Sequence, residues 1–78
     1  MKIRVCESQD FIKLPLESQC LYFHLSERAN EPQGFLKNYE KVIQDIGIDE
    51  TFLDSLVKNQ FVIPGKDGIV IVRQLYLV

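Results

Sequence analysis

The feature that most constrains this chain is the run LPLESQCLYFHL, Leu14 to Leu25, which places apolar residues around nearly every side of one short helix. Pro15 suits a first helical position, where a missing N–H costs nothing. The helix is therefore expected from about Pro15 to Ala29, where NEPQGF, with its proline and glycine, ends it. Leu21 and Leu25 stack four apart, Cys20 and Phe23 broaden the stripe on one side, and Tyr22 extends it on the other. Glu17, Ser18, Glu27 and Arg28 remain for water. A helix of this kind is expected in the middle of a fold, with other elements packed around it.

With 78 residues the chain is expected to form one domain, residues 1–78. A chain so short buries only roughly 60–65% of the surface its unfolded form exposes, so most strong apolar residues are needed inside. The balance of 46% hydrophobic and 26% charged residues belongs to globular proteins rather than disordered ones. No apolar run approaches the roughly 18 residues of a membrane span, and MKIRVCESQDF has no signal-peptide core. A cytoplasmic location is the expectation.

Upstream of the helix, MKIRVC alternates Met1, Ile3 and Val5 with Lys2 and Arg4, the period of a half-buried strand. Asp10 is placed to cap a turn through Phe11 and Leu14. Downstream, GFL supplies a short extended piece before Asn38, the expected cap of the next helix. There Tyr39, Val42, Ile43 and Ile46 fall on one face, and Gly47 is placed to end the helix in a left-handed conformation. Asp49 caps a third helix, in which Phe52 and Leu56 form one row and Leu53 and Val57 the next. The short connection from Gly47 to Asp49 is that of a helix-turn-helix. After Asn59 two β-rich runs flank PGKDG, the signature of a hairpin loop. Element order thus gives an α+β fold, a winged helix: three helices with a C-terminal β-hairpin wing, whose sheet can recruit Met1 to Val5 as an extra N-terminal strand.

Chemistry is sparse along the chain. Cys6 and Cys20 stand in no CxxC and read as reduced, buried small hydrophobes, with a single disulfide as the alternative. His24, the only histidine, lies one turn from Cys20, which packing explains as well as ligation does. Ser18, Ser26 and Ser55 lack a partner element for nucleophilic catalysis, and no Gly-rich phosphate loop occurs. No catalytic residues, metal or cofactor are expected, and the chain is not read as an enzyme.

The wording itself resembles a family. The run F-x-x-L-P-L-x-x-Q-x-L-Y-F-H-L at Phe11 to Leu25, Arg28–Ala29, Gly34–Phe35, Asn38, Ile46–Gly47 and the F-V-I-P that opens the hairpin at Phe61 are similar to the N-terminal domain of phage replisome organizer proteins, DnaD-like replication initiators of Gram-positive phages. The resemblance spans almost the whole chain. It implies a winged-helix domain at a replication origin that acts through DNA contact, self-association or both, with a helicase loader or primosome component as partner and no catalytic residues. The chain departs from the family in having NEPQ where an acidic run is usual, and in ending VRQLYLV where a basic, aromatic tail follows. It therefore reads either as the N-terminal part of a longer initiator or as a stand-alone relative.

Charge qualifies the DNA role. The candidate reading helix shows Thr51, Ser55 and Lys58 to solvent, but from Asp49 to Lys58 one lysine faces three acids. Acids in the first turn and a lysine in the last complement the helix dipole without any ligand. Candidate DNA contacts also include Lys37, Asn38 and Lys41 around the second helix, Lys66 at the hairpin tip and Arg73 on the final strand, with Lys2 and Arg4 as further cations. A net charge of −2 favours weak binding. The alternative is a protein-interaction or dimerisation module, for which Leu75, Tyr76, Leu77 and Val78 are the candidates, because IVIVRQLYLV is more apolar than a short wing requires. A small winged-helix transcriptional regulator is a third reading, and it calls for a more basic reading helix.

Overall fold

In a computed structural model, which describes residues 2–29, 34–72 and 74–76, local signals cut the chain into short elements. Strand β1 (Lys2–Arg4) runs into a single 3-10 turn at Val5–Glu7, and helix α1 covers Gln9–Ile12. Ser8, not Asp10, caps α1: its side chain accepts from the Phe11 N–H at 3.1 Å, while Asp10 sits inside the first turn. Both residues suit a cap, but only Ser8 has the extended backbone that turns its side chain onto the exposed N–H groups.

Helix α2 spans Leu16–Arg28, one residue inside the expected limits at each end, with Pro15 as the extended residue before it. Strand β2 (Phe35–Leu36) follows, then helix α3 (Tyr39–Ile46) and helix α4 (Thr51–Lys58). The Asn38 side chain makes no capping hydrogen bond, contrary to expectation. Gly47 does end α3 at φ 74°, its N–H donating to the Ile43 and Gln44 carbonyls. Asp49 Oδ1 accepts from the Thr51 N–H at 3.0 Å at the start of α4.

Strands β3 (Val62–Pro64) and β4 (Ile69–Ile71) form the hairpin, and β2 completes a three-stranded antiparallel sheet in the order β2-β4-β3. Phe35 stands opposite Val70, and Val62 opposite Ile71. Two glycines let backbones approach here: a Cβ at Gly34 would lie 2.7 Å from the Ile71 carbonyl oxygen, and one at Gly68 only 2.3 Å from that of Leu36. β1 does not join this sheet. It pairs antiparallel with β5 (Gln74–Tyr76), Ile3 opposite Leu75, in a separate two-stranded ribbon.

Leu21, Leu25 and Leu56 are fully buried, and Phe11 lies among Tyr22, Phe23 and Phe61 with edge-to-face ring centroids 5.0, 5.7 and 5.5 Å away. The Tyr22 hydroxyl donates to the Val72 carbonyl, tying α2 to the end of β4. The Cα radius of gyration is 11.8 Å, close to the value of about 11–12 Å for a compact chain of this length. The product is a small α+β domain in which the helices and a three-stranded antiparallel sheet share one core, consistent with a winged-helix-like arrangement. Among the described residues no helix is long and apolar enough to cross a membrane.

Two expectations for α2 fail for one reason. Ser18, assigned to water, is fully buried and its hydroxyl donates to the Phe52 carbonyl at 3.0 Å. Cys20, assigned to the packed stripe, is exposed, and Phe23 is half exposed, with its ring packed only in part, edge-on to Phe11 and Tyr22. α3, α4 and β4 all meet α2 through its Ser18–Leu21–Leu25 side, and a helix of 3.6-residue period turns Leu16, Cys20 and Phe23 to the opposite side. The helix is covered on one flank rather than enveloped.

Candidate nucleic-acid interface

α3 directs Val42 and Ile43 into the core, so its period turns Lys41 and Gln44 outward, in line with Lys37 just before the helix. Lys37, Asn38, Glu40, Lys41 and Gln44 together line an open depression of about 470 Å³. Lys37 and Lys41 are exposed, as is Glu40 between them, which offsets part of their charge.

The hairpin tip belongs to the same end of the molecule. Gly65 donates to the Gly68 carbonyl at 2.7 Å, closing a loop that holds Lys66 and Asp67 out in solvent. Gly68 is buried against the backbone where β2 meets α3, with a Cβ position 3.0 Å from the Lys37 Cα. Any side chain there would push the tip away. The absence of a Cβ at position 68 thus seats the loop carrying Lys66 beside Lys37 and the start of α3.

α4 offers a different surface. Thr51 and Lys58 are exposed, and Ser55 is half-buried with its carbonyl taking a 2.8 Å hydrogen bond from Asn59 Nδ2. Asp49, Glu50 and Asp54 are all exposed on or beside the same helix. The expected candidates therefore divide: Lys37, Asn38 and Lys41 come together with Lys66 at their end of the fold, whereas Thr51, Ser55 and Lys58 sit in an acidic setting.

Arg73, Leu77 and Val78 lie outside the described residues, as does Met1. At Leu75 and Tyr76 the backbone pairs with β1, so that edge of β5 is occupied within the chain. Sequence reasoning passed over a second surface, an open groove of about 530 Å³ lined by Val57, Gln60, Val62, Ile63, Pro64 and Val72. Its signal was present in the strand period, since Val62 is buried and Ile63, its neighbour on outer strand β3, must point away.

Cys6 and Cys20 are free thiols; Cys6 is half-buried and Cys20 exposed, so Cys20 is not the buried small hydrophobe expected. Among the described residues no group of three His, Cys, Asp or Glu side chains is placed to hold a metal ion. Comparison with family models, curated proteins and solved structures finds no match.

Proposed function

We propose that this chain is a non-catalytic winged-helix module of a phage-type replication initiator, and that it associates with origin DNA through the end carrying Lys37, Lys41 and Lys66. The resemblance of its wording to replisome organizers supplies the biological setting, with a helicase loader or primosome component as the downstream partner. The observation that supports the reading is the seating of Gly68, two residues after Lys66, on the Leu36–Lys37 backbone, just before the α3 segment that carries Lys41. Such a surface meets phosphates rather than base edges. Glu50 just before α4 and Asp54 on it oppose entry of that helix into a major groove, which disfavours a sequence-reading transcriptional regulator.

Fluorescence anisotropy with duplex DNA over a salt series tests the proposal. Three phosphate contacts give a log–log salt slope of about −2 to −3. Lys41→Glu and Lys66→Glu each weaken binding, while Lys58→Glu leaves it nearly unchanged. A salt-independent response in the millimolar range rejects DNA association. The second reading, a protein-interaction module, is favoured by Ile63, 52% exposed on the outer strand above the Val57–Val72 groove.

A further inference from the structure

The outward side of α2 is a second apolar face, which the fold covers only in part, where the Phe23 ring meets Phe11 and Tyr22. Leu16, Cys20 and Phe23 follow one another along it, 77%, largely and 51% exposed, directly opposite the buried Ser18, Leu21 and Leu25. Ile12, 61% exposed, sits at the end of α1, which Gln19 holds against α2 by donating Nε2 to the Ile12 and Leu14 carbonyls at 3.1 and 2.9 Å. A contiguous patch of this kind on a small domain marks an interface.

Charge on its flank selects the occupant. Glu17, His24 and Arg28 share one side of the stripe, and Arg28 folds back along the helix so that its Nη1 lies 3.2 Å from His24 Nδ1 and donates to the His24 carbonyl. The guanidinium is thereby held at the level of His24. With about 1.5 Å of rise per residue, Glu17 sits about as far before Cys20 as His24 sits after it, and Leu16 and Phe23 are disposed in the same way. Two α2 helices packed face to face and antiparallel, related by a two-fold axis at Cys20, set Leu16 of each copy on Phe23 of the other. They also set Glu17 of each copy against the guanidinium of the other. A parallel pair would instead place these flanks on opposite sides of the contact, where Glu17 of one copy has no guanidinium to meet. Glu27, next on the stripe, falls at the rim near the positive N-terminal end of the facing helix.

We propose that this face of α2 is a self-association surface whose occupant is a second copy of the chain, antiparallel and two-fold related, with Leu16–Phe23 contacts in the middle and Glu17–Arg28 pairs at the edge. The contact is self-complementary, as closed two-fold symmetry requires. It stands independently of the DNA reading, since Lys37, Lys41 and Lys66 are not on α2.

Sedimentation equilibrium of the intact chain, combined with crosslinking by a short bismaleimide, tests it. A monomer–dimer equilibrium is expected, with the Cys6→Ala chain joined covalently through Cys20 and the Cys20→Ala chain not joined. Leu16→Glu, which adds charge at an exposed position, weakens dimerisation by at least about tenfold, as truncating a central contact does. Its circular dichroism stays unchanged, and Cys20, released from the contact, is labelled by a monomaleimide at least as readily as in the unaltered chain. Glu17→Arg also weakens the dimer, and Glu17→Arg combined with Arg28→Glu restores it. A chain that is monomeric up to millimolar concentration, a dimer that survives Leu16→Glu, a crosslink that runs through Cys6, or a double variant that stays as weak as Glu17→Arg overturns the proposal.

Discussion

Helices α2 and α3 pack on the same core but distribute their apolar residues differently. α3 turns Val42 and Ile43 inward, with Tyr39 and Ile46 partly covered beside them, and shows only Glu40, Lys41, Gln44 and Asp45 to solvent. α2 buries Leu21, Tyr22 and Leu25 on one side and carries Leu16, Cys20 and Phe23 on the other. The apolar content of α3 is accounted for by the fold. That of α2 exceeds what the fold covers, so its outer face is available for association while its inner face holds the domain together.

The largest effect that tests this contrast comes from the inner faces. Leu25→Ala and Ile43→Ala each remove a buried side chain and are expected to cost about 2–5 kcal/mol, read from urea denaturation. A domain of this size has a total stability of only about 4–12 kcal/mol, so either variant should be partly unfolded near its working temperature. Ser18→Ala comes next. It removes the hydroxyl that donates to the Phe52 carbonyl at the contact of α2 with α4, a loss of about 0.5–1.5 kcal/mol by the same measurement. Smallest is Leu16→Ser, expected within about 0.5 kcal/mol of the unaltered chain. If Leu16→Ser proves as costly as Leu25→Ala, the two faces of α2 are energetically alike and the contrast with α3 fails.

Where one residue's backbone or one helix's period carries the signal, reading the chain locally goes far. The turn at Gly47 needs a left-handed residue, and glycine adopts that conformation without a Cβ penalty. The row from Tyr39 to Ile46 has only one apolar side, so its inward face is unambiguous. The change from helical to alternating period after Asn59 gives the hairpin. The misses lie where two residues compete for one role, or where two faces of an element are equally apolar. Ser8 and Asp10 both suit a cap, and the path of the chain out of β1 selects Ser8. At the lysine cluster, Lys37 and Lys41 belong together by helical spacing alone. Lys66 joins their end only through the packing of Gly68, a contact between segments far apart in sequence.

The chain's own wording determined the three main helices, the turn at Gly47, the hairpin and the acidity around the start of α4, because each follows from the conformational limits or charge of residues near one another. Tertiary structure alone decided that Ser18 is buried and Cys20 exposed, that β1 pairs with β5 apart from the main sheet, and that the hairpin tip rests beside α3. The helical period separates the sides of α2 but does not rank them. The choice falls to whichever side α3, α4 and β4 cover, since burial against neighbours sets the free energy of each apolar face.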